Sequence, residues 1–300
     1  MLTPFGIAIR KLRLDQGMRL LDLAETMNRT SAFLSAVETG KKPIPRGYVA
    51  EVADAMSLSE CDRRLLQRAA DESKDKVSTE NMSADQRALV AAFARRLDEL
   101  PPEFLEEIKK RVFKSVAGEI PFKRRRKGLL VSPASADTIW QLSNQVRSAF
   151  VSQSDVNFPI MDVLEFRLEK FSPGFYLDVC GVSEMGEEEG LVIAGEECIK
   201  LREDVYEGAW FGHGRARFTA SHELGHFIMH RKIKMARVRS EHQPIYQDAE
   251  WQADTFAGSL LFSASHLGSL RDADDAADQC GMTPSAAQVM WAKYEQKGLC

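Results

Sequence analysis

Cysteine is scarce and scattered in this 300-residue chain: Cys61, Cys180, Cys198, Cys280 and Cys300 form no CxxC pair. That spacing offers no thiolate metal site or redox motif, and it lacks the flanking pattern of a thiol protease. The count is odd and no secretory leader is present, so free thiols in a reducing cytoplasm are expected. Long apolar runs are missing as well. None approaches the roughly 20 residues that cross a bilayer, which leaves no role for a membrane. There is no GxSxG elbow, no internal repeat and no low-complexity tract. Charge of one sign is also lacking: 40 basic against 44 acidic residues give a net −4, no global pull toward nucleic acid. With 44% hydrophobic residues, the length allows two or three domains with ordinary cores.

What is present is concentrated. The run Arg217-Phe218-Thr219-Ala220-Ser221-His222-Glu223-Leu224-Gly225-His226-Phe227 places an HExxH motif on an apolar-faced helix. Four residues advance a helix by roughly 400°, so His222 and His226 emerge on the same side one turn apart and can share one metal. Glu223 then stands beside the metal without binding it, placed to take a proton from a metal-bound water. A further carboxylate, Glu250, opens an amphipathic helix whose stripe is Phe256, Ala257, Leu260 and Leu261. Two His and one Glu make a catalytic zinc set with the fourth position left to water. Mn or Fe is an alternative occupant, since such donors discriminate poorly by affinity.

Neighbours of the motif have both a functional and a plain reading. Asp254, one turn after Glu250, is either a carboxylate that fixes the tautomer of a ligand His or a solvated helix residue. His230 continues the histidine spacing, but the helix has risen about 6 Å by then, so it overshoots the metal and reads as a helix-terminal residue. A third His at the HExxHxxGxxH position is absent, because residue 232 is Lys. His213, His242 and Tyr246 flank the motifs and either bond a tetrahedral oxyanion or lie on the surface. Arg215 and Arg217 either grip substrate backbone or pair with acidic neighbours.

The pattern RxRFTxxHELGHxxxH, followed about twenty residues on by ExxADxFAxxLL, resembles the ImmA/IrrE metallopeptidase family over roughly residues 135 to 300. The resemblance implies metal ligands at His222, His226 and Glu250, a base at Glu223, and a transcriptional regulator as protein substrate. One departure is the sequence Phe262-Ser263-Ala264-Ser265 where members often carry Pro.

The N-terminal part reads as about five short helices, with apolar spacing through Phe5, Ile9 and Leu12, then Leu20, Leu23, Ala24 and Met27, then Phe33, Leu34 and Val37. Between the second and third lies the polar turn Asn28-Arg29-Thr30-Ser31, whose hydroxyls suit an N-cap. That is helix-turn-helix grammar. The stretch from residue 6 to about 58 resembles the Xre/Cro-like repressor family, with Leu23-Ala24, Val37-Glu38 and Gly40 at its characteristic places. Candidate DNA contacts are Arg19, Arg29, Thr30, Ser31, Lys41 and Lys42, with Arg46 as a further phosphate contact. The third helix offers no Arg, Gln or Asn for a bidentate base contact. The competing reading is protein docking, through an exposed patch of Leu20, Leu21 and Phe33 that a partner repressor covers.

Three domains are expected: 1–72 helix-turn-helix, 73–128 a helical hairpin with the basic linker Lys123-Arg124-Arg125-Arg126-Lys127, and 129–300 the peptidase. The hairpin serves as a homodimer contact, an interdomain strut or plain core. The expected fold class is mainly α with a small antiparallel sheet (α+β), its strands at Phe175 to Gly181, Gly190 to Ala194 and Glu197 to Leu201. The whole implies a cytoplasmic zinc endopeptidase acting on a helix-turn-helix repressor, with its own operator-binding or docking module lying over the cleft as a pseudo-substrate. Two alternatives stand beside it: a DNA-binding repressor whose peptidase-like part senses or self-processes, and a fused toxin-antitoxin-like regulator.

Overall fold

Short polar side chains set the helix starts of the N-terminal region. Thr3 accepts from the Gly6 N–H to open α1 (Pro4–Asp15), and Asp22 accepts from the Arg19 N–H at the start of α2 (Leu20–Thr26). Thr30 accepts from the Phe33 N–H to open α3 (Ser31–Glu38), after a turn in which Asn28 takes a left-handed φ of 50°. Next come α4 (Tyr48–Ala55) and α5 (Glu60–Glu72), the latter capped by Ser59. Phe5, Ile9, Leu23, Leu34, Val37 and Val52 fill the core between them. The computed structural model describes residues 2–73, 129–193, 195–230, 236–237 and 244–299. The hairpin, the basic linker and His242 lie outside the described residues.

The expected exposed patch is not there. Leu20 and Leu21 are only 4% and 5% exposed, and Phe33 is half-buried with its ring 6.0 Å from that of Tyr48. Helix spacing alone could not distinguish a face open to solvent from one covered by a distant segment.

The C-terminal region begins with β1 (Leu129–Leu130) and α6 (Ala136–Phe150). A short helix, α7 (Ile160–Asp162), runs on through a π turn (Val163–Arg167) and a 3-10 turn (Leu168–Lys170). Then follow β2 (Tyr176–Cys180), α8 (Val182–Met185), β3 (Gly190–Val192), β4 (Cys198–Arg202), α9 (Glu203–Trp210) and α10 (Gly214–Met229). The chain finishes with β5 (Ala236–Arg237), α11 (Ala249–Leu261), α12 (Ala273–Cys280) and α13 (Pro284–Gln296), the last opened by the Thr283 cap and Pro284. β1 and β5 form a small antiparallel pair.

The main sheet has the order β2-β4-β3, and the described residues are mainly helical, with this small sheet beside the β1/β5 pair. It is mixed rather than antiparallel as expected: β4 runs antiparallel to β3 but parallel to β2. The residues between β2 and β4 carry α8, β3 and a turn, enough chain for β4 to return beside β2 in the same direction.

Helix α11 is buried nearly all round, with Phe256, Ala257, Leu260 and Leu261 fully covered by α6, α10 and α13. Gly225 lets α10 approach it: a Cβ there would lie 3.0 Å from the Phe256 ring. Arg217 points into the protein, donating to Gly281 O (3.0 Å), Asn157 Oδ1 (2.7 Å) and Phe158 O (2.8 Å), so it fastens α10 to two loops instead of gripping substrate. The described residues through Ser73 and those from Leu129 on cluster into one unit, and their cores are continuous. Within it α3 packs along β2, while α10 packs on β3 and β4. Among the described residues no helix is long and apolar enough to cross a membrane.

Candidate metal centre

Helix periodicity and the α10–α11 packing bring the donors together. His222 and His226 rise one turn apart from α10, with Nε2 atoms 2.9 Å from each other. Glu250, in the first turn of α11, places Oε2 3.4 Å from His222 Nε2 and Oε1 3.5 Å from His226 Nε2. Its position is fixed by Asp248, whose carboxylate caps α11 by accepting from the Glu250 and Trp251 N–H groups. Among the described residues, His222, His226 and Glu250 form the one group of three His, Cys, Asp or Glu able to hold a metal ion.

The far side of each imidazole is also held. His222 Nδ1 lies 2.8 Å from Asp254 Oδ1. His226 Nδ1 lies 2.9 Å from His230 Nδ1, and His230 Nε2 lies 3.0 Å from Gln252 Oε1. Gln252 Nε2 donates to Ser132 O at 2.9 Å and Tyr246 O at 2.8 Å, which fixes its amide so that Oε1 accepts. An accepting Gln252 makes His230 Nε2 a donor, so His230 Nδ1 accepts from His226 Nδ1–H. The Nδ1–H of each ligand imidazole is therefore engaged on its far side, and Nε2 is the nitrogen left to face Glu250 and to bind a divalent metal once it carries no proton. His230 caps the end of α10 and is 1% exposed. Its spacing indicated a terminal histidine; the contact with Gln252 that orients it was not legible, because Gln252 lies on another helix.

Electrostatics follow from this packing. Burial pulls the His222 imidazole down, but hydrogen bonds to Asp254 and Glu250 outweigh it and hold the group up at about 10 without metal. Burial pushes Glu250 up, yet its bonds from His222 and His226 hold its carboxyl well below the usual range. His230 is pushed down to about 4 by burial, so it is neutral at pH 7. Glu223 is raised by burial, with His222 and His226 opposing. It is 7% exposed on the face of α10 that meets β3.

Gly190 explains the closeness of that strand. A Cβ at Gly190 would lie 2.4 Å from Glu223 Cγ, so only glycine lets the β3 backbone pass over the carboxylate. Glu189 ties the start of the strand to α10, accepting from Arg215 Nη2 at 2.7 Å and Thr219 Oγ1 at 3.3 Å. His213 and Tyr246 are exposed, His213 as the residue before α10.

The residues read as DNA contacts are dispersed over intrachain bonds. Arg19 Nε donates to Asp22 Oδ1 at 2.8 Å and its guanidinium stacks 5.1 Å from the Trp210 ring centre. Arg29 pairs with Glu51 at 3.5 Å, and Lys42 lies over the Phe33 ring. Thr30 is spent on its cap, and Ser31 is fully buried beside Glu207. Lys41 is bound by Asp178 at 3.0 Å and Glu184 at 2.6 Å. The N-terminal helices thus meet the C-terminal region at β2, α8, α9 and the π turn. The pseudo-substrate placement is overturned, since α3 lies at the β2 edge of the sheet and Glu223 under the opposite edge, β3.

No curated protein and no solved structure matches the chain. A protein-family comparison does give a match, to the model named Peptidase_M78 and described as the IrrE N-terminal-like domain, over residues 194–287. The matched segment includes α10 and α11 and every residue of the donor set, so the resemblance to the ImmA/IrrE metallopeptidase family rests on the part of the chain that builds the site.

Proposed function

We propose that this protein is a zinc-dependent endopeptidase that cleaves a transcriptional regulator of the helix-turn-helix type. The observation that carries the chemistry is the convergence of His222 Nε2, His226 Nε2 and Glu250 on one point with Glu223 buried alongside. The donor set fits zinc: two imidazoles whose Nδ1 atoms are held on the far side, so that Nε2 is the nitrogen that would bind, and one carboxylate would leave a coordination position for water or substrate. Zinc bound there supplies a Lewis acid that acidifies water and polarises the scissile carbonyl.

The remaining steps belong to the chain. Glu223 takes the proton of the attacking water and delivers it to the leaving amine; burial raises its pKa toward the working range of such a base. Asp254 and His230 keep the imidazoles oriented. β3 is the sheet edge beside Glu223, and extended substrate backbone added to that edge passes the base without depending on side-chain identity. A regulator as substrate is what the family resemblance supports.

Incubation of the zinc-loaded full chain with helix-turn-helix repressors tests this reading. The expected result is one defined new N-terminus by mass spectrometry, absent with Glu223→Gln. Cleavage that survives Glu223→Gln would overturn the proposed role of that residue. A cut confined to the chain's own Lys123–Lys127 run would favour self-processing.

A further inference from the structure

The face of α3 that a recognition helix would turn to DNA has no place in the peptidase chemistry, yet Ser31 and Ser35 on it are buried and hydrogen-bonded to the C-terminal region. We propose that this face is a permanent internal docking surface in this chain: it closes the open edge of β2 and reads no DNA. The inference stands apart from the peptidase reading, because it concerns only how residues 1–73 meet the sheet.

An outermost strand leaves every second backbone N–H and C=O without a ladder partner, a liability that proteins cover. β2 is such a strand, paired on one side by β4. Its Tyr176 N–H turns to the β4 side, bonding Glu197 O, so the N–H of Val179 turns outward. Ser35 of α3 meets it: Ser35 Oγ accepts from Val179 N at 2.9 Å and donates to Asp178 Oδ1 at 2.9 Å. The hydroxyl is used as donor and acceptor at once, and Ser35 and Asp178 are each 2% exposed.

The first turn of α3 is engaged in the same way. Ala32 N–H donates to Glu203 Oε1 at 2.7 Å, and Ser31 Oγ to Glu207 Oε1 at 3.4 Å. These are the backbone and hydroxyl donors that a recognition helix directs at bases and phosphates. Here carboxylates of α9 receive them. Lys41, the nearest cation past the helix, is held by Asp178 and Glu184. A duplex cannot share a face on which Ser31 and Ser35 are already buried.

A second anchor lies one helix away. Glu165, placed by the π turn, accepts from Arg13 Nη1 at 2.9 Å, Leu20 N at 2.7 Å and Tyr206 Oη at 2.8 Å. It joins α1, α2 and α9 in one buried cluster. Undocking α3 would have to break both anchors together, including the Leu20 N–H bond to Glu165.

Two measurements on the full chain test the proposal. The first is repeated selection against duplexes randomised at their centre, at about 0.1 M salt, with hydrogen exchange followed at Leu20, Ala32 and Val179. No sequence should be enriched, and the three amides should stay as protected with the duplex pool as without it. An enriched sequence, or protection lost when duplex is added, would overturn the proposal. The second is thermal melting of Ser35→Ala, which leaves the Val179 N–H unpaired. One cooperative transition, lowered by about 5 °C, is expected. Two transitions, with the C-terminal one unshifted, would show a separable head and sink the idea.

Discussion

Asp254 and His230 do for the two ligand imidazoles what helix spacing alone cannot: they assign the protons. Removing either partner is expected to weaken zinc binding by about 10- to 100-fold, measured by competition with a chelator for Asp254→Ala and His230→Ala. Unchanged affinity in both would mean that the tautomers are set elsewhere. Proton traffic gives a further check. Because His222 is held up at about 10 in the metal-free chain, it is protonated at pH 7, and zinc must displace that proton. Calorimetry in buffers of different ionisation enthalpy should register about one proton released per zinc at neutral pH. The sign for stability follows from the same shift: the His222 contribution is full below the unfolded value near 6.5 and is lost as pH rises through about 10. Denaturant melts of the metal-free protein should show that loss, whereas the zinc-loaded protein should not. The ligands and the base were legible at this scale because they lie four residues apart on one helix or open the next one. Glu165 and Gln252 were not, since their partners come from far along the chain.

At the scale of elements, two local devices hold the site. Asp248 caps α11 just where Glu250 must be fixed. Asp248→Ala should cost about 1 kcal/mol of unfolding free energy and loosen metal binding, both read by denaturant titration with and without zinc. Gly190 lets β3 cross Glu223. Gly190→Val should leave zinc stoichiometry at one while lowering kcat, since the strand must back away from the carboxylate; retained kcat would remove β3 from the account. Element types and places were largely readable from apolar spacing and capping residues such as Thr30 and Thr283. Strand direction was not: the segments between Phe175 and Leu201 have β composition, but composition carries no information on which pair is parallel. The π turn that aims Glu165 likewise leaves no periodic signature.

For the whole molecule, the sequence grammar of repressor and peptidase suggested modules joined by a connector, whereas the described residues through Ser73 and those from Leu129 on share one core. Periodicity shows that a helix has an apolar or polar face; it does not show whether a partner, a duplex or the same chain covers it. Removal of residues 1–73 is therefore expected to destabilise the remainder and not to speed cleavage, because α3 covers the sheet edge opposite the base. Faster turnover by a truncated chain of unchanged melting temperature would contradict that placement. The central claim is that His222 and His226 bind the metal with Glu250 while Glu223 acts on the proton. Zinc content after equilibrium dialysis tests it most directly, comparing the natural chain with Glu223→Gln and His222→Ala. The account predicts one equivalent for the natural chain and for Glu223→Gln, and no stoichiometric zinc for His222→Ala. Loss of zinc from Glu223→Gln as complete as from His222→Ala would contradict it.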